Sequence, residues 1–485
     1  VARYFKFHSL ADIDAECRKQ NLNIQFSEDL RPLFRPVTVG GMRVGNSLCI
    51  QPMEGCDATL DGRPDELTLR RYRRFGAGGA KLIWAEATAV APEGRATSRQ
   101  LCLTEQNAPD FAAMLQQCRQ AHREACGSDD DLVVGLQLTH SGRYSFPRRL
   151  IACHDPVLDP VSMVLNDAGK PSGRSIDATY PLLDDDYLRR LVDRYVDAAR
   201  IAHRIGFQFV DVKQCHRYLL SELLAARTRP GPYGGSLENR TRLARDIIEA
   251  IRAAVPGLMI ATRLNIYDCV PYRKKAGSQE GEPCPWQAFA SSPGHDGQIC
   301  AWGTNLANVL EPDLTEPIWW IGEMARLGVS LVNVSMGSPY TTPHVLRPFE
   351  YPPPDGYETP EHPLKGVERH FTLTGELQRR FPGLPIVGSG YSYLQEYLFA
   401  AGAKNLEFGQ VAFVGVGRAS LSQPDFARQL QEHGKLDRKR VCRTFSYCTA
   451  LMRSKHNELG QYASGCPPFD KEVYGPIWDD AKDKG

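Results

Sequence analysis

Three side chains in the segment Lys213-Gln-Cys-His216-Arg-Tyr218 have types and spacing that could act together on one small molecule. An ammonium and an imidazole can hold a developing negative charge, and a phenol can deliver a proton. The segment ends a near-continuous apolar run of the kind buried on both faces of a parallel sheet. Similar runs end in Gln51-Pro52-Met53-Glu54, Ala87-Thr88, Gln137 with His140, and Arg263. Two small-residue turns, Gly388-Ser389-Gly390 and Gly415-Val-Gly417-Arg418, offer backbone N–H groups and one guanidinium, a combination suited to phosphate. Gln137 presents a donor and an acceptor side by side, which suits an edge carrying C=O next to N–H. Arg263 is a permanent cation that would favour a ring system turning anionic on reduction. Each has a structural alternative: a strand-end hydrogen bond for Gln137, a buried ion pair for Arg263 or Lys213, and core packing for His216.

Such residues need a frame, and the chain repeats one. Strand candidates at 46–52, 80–87, 132–140, 207–215, 258–265, 329–336, 384–390 and 405–410 alternate with helical patterns. The clearest helix is 186–205, where Leu188, Leu191, Tyr195, Ala199 and Ala202 form one apolar stripe. Eight strand–helix units without a central break predict an α/β fold, a (β/α)8 TIM barrel, over residues 1–430. In that fold the chemistry lies at the C-terminal ends of the strands, where the motifs above fall. Long insertions at 144–185, 268–315 and 337–365 follow strands and would crowd the same rim. Residues 431–485 form a C-terminal extension.

Composition narrows the class. The 485 residues carry 58 Lys+Arg and 57 Asp+Glu, a net charge of +1, which argues against a general grip on nucleic acid or an anionic membrane. No apolar run reaches the ~18–20 residues of a membrane span. Fourteen cysteines are too dilute for a disulfide scaffold and point to reduced thiols, hence to a cytoplasmic protein. A small-molecule substrate is expected, with homo-oligomerisation left open.

The series Pro52-Met53, Glu86-Ala87-Thr88, Gln137-Leu-Thr-His140-Ser-Gly142-Arg143 and Arg229…Tyr233-Gly-Gly-Ser236-Leu-Glu-Asn239-Arg240 resembles the old yellow enzyme family. The order of landmarks, from about Leu33 to Phe426, is most similar to the 2,4-dienoyl-CoA reductase-like branch, without a Rossmann domain after the barrel. The resemblance implies non-covalent FMN, reduced by NADH or NADPH, that in turn reduces an activated C=C. It implies that Pro52, Met53, Glu54 and Ala87 lie beside the flavin ring, that Gln137 meets its pyrimidine edge and that Arg263 faces its N1 region. Gly388, Ser389, Gly390, Gly417 and Arg418 would hold the phosphate. Lys213 and His216 would hold the substrate oxygen and Tyr218 would give the proton. Lys213 departs from the family's His, and Glu54 from a small polar residue or Cys. An amine or N-methyl dehydrogenase is the same-fold alternative, and a non-redox phosphate-binding lyase or isomerase the alternative of another class. That branch also carries a four-cysteine iron–sulfur cluster. Cys442, Cys448 and Cys466, with His456 between the last two, do not supply four thiolates, and no metal is expected.

Overall fold

In the computed structural model, which describes residues 3–167, 169–287 and 299–484, eight parallel strands close into a barrel in chain order. They are β1 (Leu48–Ile50), β2 (Leu82–Ala89), β3 (Val133–Thr139), β4 (Phe209–Val212), β5 (Met259–Asn265), β6 (Val329–Ser335), β7 (Ile386–Gly388) and β8 (Phe413–Val416). The ring closes where Val414 pairs with Leu48. Helices α1 (Glu66–Ala77), α2 (Ala108–Cys126), α3 (Asp185–Arg204), α4 (Leu237–Ala254), α5 (Thr315–Arg326), α6 (Pro363–Arg380) and α7 (Leu398–Glu407) alternate with the strands, and α8 (Phe426–His433) follows β8. The TIM barrel expected from the sequence is the fold observed. One strand is corrected: residues 405–407 end α7, and β8 lies at Phe413–Val416. Alternation in Asn-Leu-Glu-Phe-Gly-Gln mimicked a strand, while the real one is four residues long with a glycine inside.

The barrel interior is packed in layers. Leu82, Trp84, Val133, Phe209, Leu331 and Phe413 fill its lower part, and Val39 and Val44 of a short hairpin close the bottom. Trp84 and Phe209 meet edge to face at 4.8 Å. Phe209 fits because residue 135 is glycine; a Cβ there would lie 2.2 Å from its ring. Above this layer the interior turns polar. Asp211 on β4 accepts from Trp84 Nε1 at 2.8 Å, Gln137 Nε2 at 2.6 Å and the Arg263 backbone N–H at 2.7 Å. Burial holds its carboxyl up at about 6.

The string from Arg229 to Arg240, the most specific in the sequence, is structural. Ser236 caps α4 by accepting from the Asn239 N–H. Arg240 donates to the Leu224 carbonyl and pairs with Glu316 of α5 at 2.7 Å. Arg229 donates to the Ala152 carbonyl at 2.6 Å and pairs with Asp185 at the start of α3 at 2.7 Å. This string pins the first long rim insertion and three helices around the end of β4, where the chemical motif begins.

Candidate active site

A cavity enclosing about 1010 Å³, counting the part open to solvent, sits on the C-terminal mouth of the barrel. That is at the upper end of the ~300–1,000 Å³ typical of cofactor sites. Of the fourteen residues given a site role from the sequence, ten line it: Pro52, Met53, Glu54, His216, Tyr218, Arg263, Ser389, Gly390, Gly417 and Arg418. Four do not. Ala87 is 2% exposed, with its carbonyl accepting from Gln100. Gln137 is turned to Asp211, and the Gly388 carbonyl accepts from Gln51. Lys213 lies behind Tyr218, with Nζ 3.9 Å from the ring centroid.

The turn after β4 carries two of the candidate residues. His216 and Arg217 both adopt left-handed backbone, at φ 66° and 61°. Two such residues cost of order 1–2 kcal/mol each, so something must hold them. Arg217 does so, paired with Asp155 at 2.6 Å and Asp268 at 2.9 Å, one from each of two rim insertions. The turn brings His216 and Tyr218 to the same cavity, their rings edge to face at 6.4 Å, while Arg217 stays buried. His216 Nε2 lies 3.2 Å from Ser335 Oγ at the end of β6. Burial, with Arg263 and Lys213 nearby, holds the imidazole well below its ordinary value, so it is neutral at pH 7. Lys213 forms no ion pair among the described residues, and burial lowers its ammonium. The Tyr218 hydroxyl is 3.1 Å from that of Tyr340, whose ring stacks on Tyr144 at 3.8 Å. Burial raises the Glu54 carboxyl, which faces Tyr218 and Lys213 and leaves Oε1 without a partner. Next to it, the Gly55 N–H donates to Glu86 at 2.7 Å, and Glu86 shares buried Arg71 with Asp57.

The other end of the cavity is cationic. Arg418, 6% exposed, donates through Nη2 to the Pro348 carbonyl at 2.7 Å, and its buried Nη1 has no partner. Beside it, Arg347 leaves a buried Nη2 without a partner; burial and Arg418 push that guanidinium down to about 9. Neither arginine makes an ion pair among the described residues. Gly390 has φ 91°, and a Cβ there would press on His370 at 2.8 Å. Buried donors without acceptors are costly, and these converge where the sequence placed a phosphate. Arg263 presents a similarly unpartnered Nε toward the middle of the cavity. The donor set is compatible with FMN: Arg418, Arg347 and the Ser389–Gly390 turn could take its phosphate and Arg263 could face its ring.

Sequence reading missed Arg347 and Tyr340, both in the insertion after β6, and Thr449, Met452 and Arg453, which the C-terminal extension adds to the cavity wall. Arg453 stacks over Tyr340 at 4.6 Å. No local pattern marks any of them. In the same extension, Cys442, Cys448 and Cys466 line a second cavity beyond Arg418. Among the described residues, no group of His, Cys, Asp and Glu is close enough to hold a single metal ion.

Fold and site together describe a TIM barrel whose mouth could seat a phosphate-bearing cofactor. The chain belongs to the NADH:flavin oxidoreductase / NADH oxidase family, the old yellow enzyme family, whose model matches residues 32–286. Its cofactor is FMN and its reductant NADH or NADPH. It is 29% identical over 261 residues to an NADPH dehydrogenase of Geobacillus sp. (strain WCH70), covering 51% of this chain and 70% of that one. To the NADPH dehydrogenase of Bacillus subtilis (strain 168) it is 27% identical over 231 residues, covering 47% and 62%. Among solved structures, a 2-naphthoyl-CoA reductase superposes with TM-score 0.63 at 16% identity over 93% of this chain and 58% of that chain. An old yellow enzyme homologue from Zymomonas mobilis gives 0.58 at 21% identity, covering 84% and 94%.

Proposed function

We propose that the protein reduces the activated C=C of a small enone, enoate or enoyl thioester with electrons from NADH or NADPH. The observation that carries this reading is the strained His216–Arg217 turn, which brings His216 and the Tyr218 hydroxyl to one cavity with Arg263. The chemistry FMN supplies there is hydride transfer, in from the nicotinamide and out to the β-carbon of an electron-poor alkene. Neutral His216 donates an N–H to the substrate oxygen and so favours the enolate that forms there. Tyr218 gives its proton to the α-carbon. Lys213 has a role different from oxygen binding. Lying over the Tyr218 ring, its cation favours the phenolate left behind. Tyr340 and Glu54, both facing the Tyr218 hydroxyl, form the route by which its proton is replaced. An uncompensated Lys213 also weighs against a cationic amine substrate.

The test is Tyr218→Phe in the FMN-loaded enzyme, followed by stopped flow. Flavin reduction by NADPH should proceed at the wild-type rate, while reoxidation by cinnamaldehyde slows by roughly 10²–10⁴, the usual worth of a positioned proton donor. Undiminished product formation by the variant would remove Tyr218 from the mechanism.

A further inference from the structure

A second chamber opens beside the catalytic one and shares Glu54, Tyr340, Met452 and Arg453 with it. It encloses about 1070 Å³, counting the part open to solvent, between the first rim insertion and the C-terminal extension. Its charged wall is unbalanced. Arg149 donates only to the carbonyls of Met163 and Ser145, at 3.1 and 3.4 Å. Lys455 has no hydrogen-bond or ion-pair partner among the described residues. Arg453 pairs with the one exposed carboxylate of the wall, Asp355, at 3.2 Å, donates to the Pro339 carbonyl at 2.9 Å and keeps a buried Nε without a partner. Arg143 also lines the chamber but is fully satisfied by Glu222 and Asp159. The remaining acid is Glu54, whose carboxyl burial raises toward the neutral form. Three cations therefore face one cavity with one carboxylate among them.

Holding like charges together in a partly desolvated wall costs free energy, and an anion between them offsets that cost. The placement gives the anion a direction: Tyr340 and Arg453 line both cavities, so a molecule over Tyr218 can extend past them into this chamber. We propose that the chamber is an anion subsite, in which Arg149, Arg453 and Lys455 seat a carboxylate or phosphate carried by the molecule reacting in the central cavity. This rests on the alkene-reductase reading above and adds to it that the reacting molecule is anionic at its outer end. The same groups could receive the charge of the alkene substrate or the phosphates of the reducing dinucleotide.

The experiment uses FMN-loaded enzyme and a matched pair of probes, cinnamaldehyde and 4-carboxycinnamaldehyde. Their binding to the oxidised enzyme is read from perturbation of the flavin spectrum, with no turnover needed. We expect the carboxylate to bind roughly tenfold more tightly, the worth of one charge-assisted hydrogen bond. The preference should collapse in about 0.5 M NaCl and in Lys455→Met, an exposed position, as well as in Arg149→Met/Lys455→Met. A parallel arm compares NADPH with NADH in anaerobic flavin reduction, with inorganic pyrophosphate as competitor. A loss confined to this arm assigns the subsite to the dinucleotide, and one confined to the aldehyde pair assigns it to the substrate. Wild-type enzyme that ignores charge in both arms overturns the proposal. Carboxylate binding without reduction of either aldehyde would keep the subsite and refute the alkene-reductase reading, whereas reduction of both aldehydes with no charge preference would do the reverse.

Discussion

Arg347 and Arg418 make opposite demands on the apoprotein and the holoprotein, and Arg347→Met separates them. The two guanidiniums line one end of the cavity, each with one buried nitrogen lacking a partner, and burial and Arg418 push Arg347 down to about 9. A base whose folded value lies below its unfolded one costs stability at every pH under that folded value. Replacing it with an uncharged side chain of similar length should therefore raise apoprotein stability at pH 7.5, read by urea unfolding. With FMN the sign reverses. A charge-assisted hydrogen bond contributes about 1.5–3 kcal/mol, so FMN affinity should fall by roughly 10- to 150-fold. Riboflavin, which has the ring and ribityl chain without the phosphate, is the control and should bind the variant and wild type alike. Affinities come from quenching of flavin fluorescence on titration with apoprotein. If riboflavin weakens in parallel with FMN, or the apoprotein loses stability, Arg347 is a packing residue and the phosphate assignment fails.

Three further outcomes follow from the same geometry. Arg217→Met leaves Asp155 and Asp268 buried without their cation, so it should destabilise the protein by about 3–5 kcal/mol in denaturant unfolding; a cost below ~1 kcal/mol would mean that the turn is held by something else. Gly135→Ala places a Cβ 2.2 Å from the Phe209 ring and should cost about 1–3 kcal/mol while leaving the flavin spectrum unchanged. His370, beneath Gly390, is held by burial at about 4. Because its folded value lies below the unfolded one, the unfolded chain takes up the proton first and stability is lost as pH falls from ~6.5 towards ~4. At pH 5 the loss is roughly 2 kcal/mol, so His370→Gln should narrow the gap between urea midpoints at pH 7 and pH 5; an unchanged gap would show that His370 titrates normally.

Much of this site was legible because barrel geometry converts sequence position into spatial position. A polar residue that closes an apolar run must stand at the mouth, and so Pro52, His216, Tyr218, Arg263 and Ser389 could be placed before any coordinates. The same logic failed at β8, where a four-residue strand carries too little pattern to compete with the end of α7. It also missed side-chain direction. Gln137 and Lys213 lie at the right height on their strands, yet one turns to Asp211 and the other behind Tyr218. Asp211 was hidden inside an apolar run, where a carboxylate reads as an exception until the Trp84, Gln137 and Arg263 donors are seen around it. The contacts of Arg347 and Arg453 depend on pairs far apart in sequence, and periodicity carries no information about those.

Tyr340 shows why the missed residues matter. It belongs to the insertion after β6, bonds Tyr218 from the end of β4, stacks on Tyr144 from the insertion after β3 and lies under Arg453 from the C-terminal extension. Four distant segments therefore define the surroundings of the hydroxyl proposed to give the proton. A barrel ending at residue 430 would retain every residue proposed above to hold substrate or move a proton, but it would lose the cation over Tyr340 and part of the wall shared by the central cavity and the basic chamber. The strand ends supply the residues proposed here to carry the chemistry. The insertions and the extension supply much of the charge and shape of the cavity walls around Tyr218.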